Sequence, residues 1–121
     1  MKFKESKPIY LQIADRIMEE ILQEVYPEEE RIPSVREYAA TVEVNANTVI
    51  RSYDYLQNHE IIFNKRGIGY FVNKGGKKNI LKLRRKVFLN EDIPEVFRQM
   101  ELLQISLADI NAMYDDFLNR K

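Results

Sequence analysis

Asn47, Thr48, Arg51 and Tyr55 recur at spacings that gather them on one side of a helix, while Val49, Tyr53 and Leu56 share the other, with Ile50 at its edge. Amide, hydroxyl, guanidinium and phenol groups in one sector can meet base edges and phosphates, and the aliphatic sector can anchor the helix. The same amphipathic pattern also suits an ordinary solvated surface helix. A second polar group follows in Lys65 and Arg66, which precede Gly67-Ile68-Gly69. A basic hairpin tip of this kind is placed to touch phosphate or to reach into a minor groove.

Other chemistries lack their residues. The 121 residues contain no Cys, which excludes a disulfide framework, a thiolate metal site and a cysteine nucleophile. His59 is the single histidine, and neither familiar Gly-rich phosphate loop is present, so no enzyme, metal or cofactor is expected. Met1–Pro8 is charged and lacks an apolar signal-peptide region, and no apolar run is long enough to span a bilayer. A cytoplasmic protein without membrane contact is expected.

With 45% hydrophobic residues, the length suits one small domain carrying a modest core, or such a domain with a short appendage. The net charge of zero hides a polarity along the chain. Residues 1–30 carry four basic and eight acidic side chains, residues 31–74 six and four, and residues 75–121 nine and seven. The field at a contact surface matters more than the total.

The elements that must position the polar groups follow from period and punctuation. Pro8 suits a first helical turn, and Ile9, Ile13, Ile17 and Ile21 then predict a helix of about sixteen residues with an acidic outer face. Pro27 and Glu28–Glu30 break it. Ser34-Val35-Arg36-Glu37 is a capping box that starts a short second helix, and Asn45 caps a third running to Asn58. Two short helices so closely spaced predict a helix-turn-helix. Ile61-Ile62-Phe63 and Tyr70-Phe71-Val72 predict a hairpin around the basic tip, which makes a winged helix.

From Gly75 the composition changes. Lys78, Lys82, Arg85 and Lys86 form one side of a predicted amphipathic helix, with Ile80, Leu81, Val87 and Phe88 on the other. The basic side suits either solvent or DNA phosphate. Asp92 and Pro94 are expected to open a further helix with Val96, Phe97, Met100 and Leu103 on one stripe; Ser106 caps another that carries Ile110, Met113, Tyr114 and Phe117. So many stripes in so short a segment cannot all be buried within one protomer. Ile80, Val87 and these eight residues are therefore expected at a homodimer interface rather than around a small-molecule effector.

Four ordered blocks between Pro8 and Val72 resemble the DNA-binding domain of the GntR family of bacterial transcription regulators: Pro8-Ile9-Tyr10-Leu11-Gln12-Ile13, Arg31-Ile32-Pro33-Ser34-Val35-Arg36-Glu37, Val44-Asn45-Ala46-Asn47-Thr48-Val49-Ile50-Arg51-Ser52-Tyr53 and Arg66-Gly67-Ile68-Gly69-Tyr70-Phe71-Val72. The resemblance implies contact with double-stranded operator DNA by Arg36, Asn45, Asn47, Thr48 and Arg51, and by Gly67 with its neighbours Lys65 and Arg66. Ser34 doubles as cap and phosphate ligand. Many family members carry Arg where this chain has Ala46, which removes one contact and leaves a methyl suited to thymine. The short C-terminal segment resembles the YtrA-like subfamily, whose helical extension dimerises and whose regulated genes often encode transporters.

The expectation is thus a mainly α protein with a small β-hairpin: a winged helix-turn-helix over residues 1–74 and a helical dimerisation extension over residues 75–121. Its expected role is that of a homodimeric repressor on a palindromic operator. The alternative from another class is a protein-interaction winged helix with incidental DNA affinity.

Overall fold

Helix α1, Ile9–Leu22, starts on Pro8 and buries Ile13, Ala14, Ile17, Met18 and Ile21; of the stripe read from the sequence, Ile13, Ile17 and Ile21 are in the core, while Ile9, in the first turn, is exposed. The structure is a computed structural model that describes residues 7–121. Helix α2, Val35–Val42, is closed by the predicted capping box: the Glu37 N–H donates to Ser34 Oγ at 3.1 Å and the Ser34 N–H donates to Glu37 Oε1 at 2.9 Å. It ends on Glu43, which takes the left-handed conformation at φ 57° and ψ 50°. Helix α3, Ala46–Asn58, begins where Asn45 Oδ1 accepts from the Asn47 N–H at 2.8 Å.

Strands β1, Ile62–Lys65, and β2, Gly69–Val72, pair antiparallel in the register Ile62↔Val72, Phe63↔Phe71, Asn64↔Tyr70 and Lys65↔Gly69. The loop before α2 borders them. The Glu29 N–H donates to the Val72 carbonyl at 2.8 Å, the Val72 N–H to the Glu30 carbonyl at 3.0 Å, and the Ile32 N–H to the Tyr70 carbonyl at 3.0 Å. A two-stranded hairpin is marginal alone, and this bordering segment satisfies its open edge.

Helix α4, Gly76–Val87, alters one part of the sequence reading. Ile80, expected at a dimer interface, is completely buried in the core with Ile17, Tyr53, Leu56, Ile61 and Val72. The cause is the way α4 is held. Gly76 lies so close that a Cβ there would stand 3.0 Å from the Ile61 carbonyl oxygen and from Val72 Cγ1. The Glu28 carboxylate accepts from the Gly75 and Lys77 N–H groups at 2.8 and 3.2 Å, and Asn79 Nδ2 donates to the Glu60 carbonyl at 2.8 Å. Accordingly the first compact unit ends at Leu83, not at the composition change near Gly75.

The second unit, Arg84–Lys121, holds the end of α4, a π-helical segment Phe88–Asp92, helix α5 over Ile93–Leu103 and helix α6 over Leu107–Asn119. Helix α5 starts directly after Asp92 with Pro94 in its first turn, as expected, but Asp92 does not cap it. Asp92 is itself helical, at φ −75° and ψ −46°, and makes no side-chain cap bond. A wider π turn just ahead of Pro94 accommodates a ring that would crowd an ordinary preceding turn and lacks an N–H. Helix α6 does start on Ser106 as expected, and the cap is reciprocal: the Asp109 N–H donates to Ser106 Oγ at 3.1 Å and the Ser106 N–H to Asp109 Oδ2 at 3.2 Å.

Candidate nucleic-acid interface

The two sides of α3 divide as the spacing predicts. Val49, Ser52, Tyr53 and Leu56 are buried, whereas Asn45, Ala46, Asn47, Ile50 and Arg51 are exposed and Thr48 is half-buried. Helix α3 is anchored from three sides. The Tyr53 hydroxyl donates to the Pro33 carbonyl at 2.7 Å, and its ring meets Tyr70 edge-on at 4.8 Å and Tyr38 at 6.4 Å. Burial raises the Tyr53 hydroxyl far above its ordinary pKa, so it remains a neutral donor. Tyr38 in turn donates to Glu20 Oε1 at 2.7 Å, and burial followed by that carboxylate raises its pKa as well. These phenols tie α1, α2, α3 and β2 into one rigid support for the exposed face of α3.

The third anchor was not legible in the sequence. The Ser52 hydroxyl donates to the Tyr10 carbonyl at 2.7 Å, with the Thr48 carbonyl at 3.1 Å as a second acceptor. One residue earlier, the Arg51 guanidinium lies over the Tyr10 ring, 4.2 Å from its centroid. Tyr55, on the polar sector by spacing, is half-buried and packs edge-on to Tyr10 at 6.4 Å and against His59 at 4.6 Å.

At the start of α2, Ser34 is half-buried and committed to its cap, and Arg36 is exposed. The Glu37 carboxyl is held below its usual range, first by the Ser34 N–H it accepts and then by the Ser34 side chain. At the hairpin, the Ile68 N–H donates to the Lys65 carbonyl at 2.9 Å, and Lys65, Arg66, Gly67 and Ile68 are all exposed. Gly67, at φ 78°, needs the left-handed conformation, which glycine tolerates best. The Lys65 ammonium sits 5.8 Å from the centroid of Phe71, which stacks on Phe63 at 5.6 Å. Arg31 lies against Gly69, where a Cβ would come within 2.9 Å of its Nε.

The structure therefore puts every sequence-predicted contact residue on α2, on α3, at the N-caps of these two helices or at the hairpin tip of one unit. Among the described residues, Arg36, Arg51, Lys65 and Arg66 stand in no ion pair within the chain; the pairs are Lys7–Asp15, Arg16–Glu20, Lys77–Glu24, Arg98–Glu95 and Arg120–Asp116. Unpaired cations beside hydrogen-bonding side chains on a braced helix suit a polyanion. Among the described residues there is no cluster of His, Asp or Glu able to hold a metal ion, and no helix is long and apolar enough to cross a membrane.

The second unit has no buried residue at all, despite its apolar content. Phe97, Leu103, Met113, Tyr114 and Phe117 are each more than half exposed, Val96 is also exposed, and Val87, Met100 and Ile110 are half-buried. Phe88, read from the sequence on the apolar side of α4, is exposed too, and Leu89, Leu102, Leu107 and Leu118 extend this exposed apolar set beyond the expected stripes.

Residues 9–72 match the family described as bacterial regulatory proteins, gntR family. The chain is 33% identical over 109 residues to the HTH-type transcriptional regulator YhcF of Bacillus subtilis strain 168, covering 90% of this chain and 88% of that protein. It is also 33% identical over 79 residues to the HTH-type transcriptional repressor YtrA of the same strain, covering 65% of this chain and 61% of YtrA. Among solved structures, a protein from Bacteroides thetaiotaomicron described as a transcriptional regulator of the GntR family superposes with a TM-score of 0.77 at 56% identity, covering 93% of this chain and 98% of that one.

Proposed function

Because the chain belongs to the GntR family and is a DNA-binding transcription regulator, we propose that it acts in the cytoplasm as a homodimeric repressor on a palindromic operator. The observation that carries this reading is the exposed face of α3. Asn45, Asn47, Thr48 and Arg51 crown a helix braced from α1, α2 and β2, and they enter a major groove. Ala46 meets a thymine methyl, while Ser34, Arg36, Lys65, Arg66 and the Gly67 backbone hold flanking phosphate and the minor groove.

Dimerisation follows from surface physics. A unit of this size with so many exposed apolar side chains and no buried residue does not persist alone in water, and a second copy of the same helices is the partner always at hand. Two α3 helices about 34 Å apart then read half-sites one helical turn apart. The repressor named YtrA supports the sign of regulation, and the YtrA-like resemblance supports a transporter operon as target. No small-molecule effector is part of the proposal.

The test is fluorescence anisotropy with DNA from upstream of the chain's own gene, against scrambled duplex, over a salt series. Sequence-preferring binding with a steep salt dependence is expected. Arg51→Ala should cost about 1–3 kcal/mol and flatten preference at one base position. Equal, weak binding to both duplexes would instead favour a protein-interaction module.

A further inference from the structure

We infer that Tyr10 is a positioning residue for recognition by Arg51, its ring fixing the plane of the guanidinium that α3 presents to DNA. The inference rests on the reading of α3 as the recognition helix. Tyr10 stands in the first turn of α1, 41 positions from Arg51, and its ring centroid lies 4.2 Å from Arg51 Cζ. The backbone beneath that contact is fixed independently. The buried Ser52 hydroxyl bonds the Tyr10 carbonyl at 2.7 Å, and Tyr55 meets the Tyr10 ring edge-on at 6.4 Å. The ring therefore has little freedom to follow the arginine; the arginine settles on the ring.

A guanidinium is planar and carries all five N–H donors in that plane. With Cζ held 4.2 Å over the ring centroid, the contact is made through the cation's approach to the ring face. The edge donors of Arg51 stay available on an exposed side chain that stands in no ion pair among the described residues. An arginine on a bare helix must be ordered as it docks, whereas this one is held in one plane before it meets a guanine edge or a phosphate. Entry into a groove also strips water from the stack and strengthens it. Tyr10 thereby sharpens discrimination among bases without itself contacting one.

The test uses a labelled duplex recovered from a random pool by selection with the intact wild-type chain, and a scrambled duplex as reference. Tyr10→Phe, Tyr10→Leu and pentafluorophenylalanine in place of Tyr10 are compared, each also in an Arg51→Ala background, with thermal melts alongside. Fluorination reverses the ring's electrostatic face at nearly constant size, so it separates the stack from packing. Tyr10→Phe should bind within about twofold of wild type, and the fluorinated and Leu variants should lose about five- to tenfold of their preference for the selected duplex. In the Arg51→Ala background these differences should vanish. Equal losses with and without Arg51, or a fluorinated variant that binds like Tyr10→Phe, would overturn the inference while leaving the regulator reading intact. A wild-type chain that enriches no sequence would sink that reading itself.

Discussion

The Ser52 hydroxyl, wholly buried in α3, donates to the Tyr10 carbonyl of α1 at 2.7 Å, so the face of α3 opposite the solvent is pinned by a side-chain bond as well as by apolar packing. Ser52→Ala leaves the shape nearly unchanged and removes that donor. Stability should fall by about 1–2 kcal/mol, read as a lower urea midpoint at unchanged m-value. Ser52→Val should fall further, because its extra methyl must fit against a core without spare room.

Lys65 and Arg66 sit at an exposed hairpin tip outside any ion pair among the described residues. If they hold phosphate, Lys65→Ala and Arg66→Ala should each reduce the slope of log affinity against log salt by about one unit per protomer, with little change in sequence preference. Anisotropy titrations at several salt concentrations provide the slope. An unchanged slope would remove the wing from the DNA contact.

Two carboxylates close helix starts in the first unit. The Gly75 N–H, then that of Lys77, holds Glu28 below its ordinary value of 4.5, and the Ser34 backbone and side chain do the same for Glu37. A carboxyl with a depressed folded pKa contributes stability that is complete above the unfolded value and fades as pH falls through the folded one. The melting temperature should therefore drop as pH is lowered from about 5 to about 3, and Glu28→Gln and Glu37→Gln should each flatten part of that drop. Ser34→Ala should cost about 1 kcal/mol at neutral pH through loss of the cap.

Phe97 and Met113 are large apolar side chains of the second unit that are each more than half exposed. In a two-fold interface each substitution appears twice, so Phe97→Glu or Met113→Glu should weaken dimerisation by about 4 kcal/mol, roughly a thousandfold in the dimer Kd. Sedimentation at micromolar concentration should show monomer, with the melting behaviour of the winged helix preserved. A variant that stays dimeric would move the interface elsewhere.

What could be read from the sequence was local. Both capping boxes, the Asn45 cap and the hairpin are written within a few residues of each other, and the structure places them where the spacing does. The buried stripe of α1 and the polar side of α3 follow from period alone. The misses are contacts between distant parts of the chain. Ile80 sits among lysines and arginines, and its local composition suggests an appendage; the Glu28 carboxylate and Gly76 that dock its helix lie outside that pattern. The stack of Arg51 on Tyr10 joins two segments whose spacing carries no period. The π turn before Pro94 depends on how a helix absorbs a proline, which composition does not record.

The burial of Ile80 bears on how the chain acquires its activity during synthesis. When the ribosome has delivered residue 74, the face of α3 and the wing are both complete, yet the core beneath them is open until Ile80 arrives. A chain ending near residue 74 therefore lacks a core side chain that the support of α3 requires, and it should melt below a chain that includes Ile80.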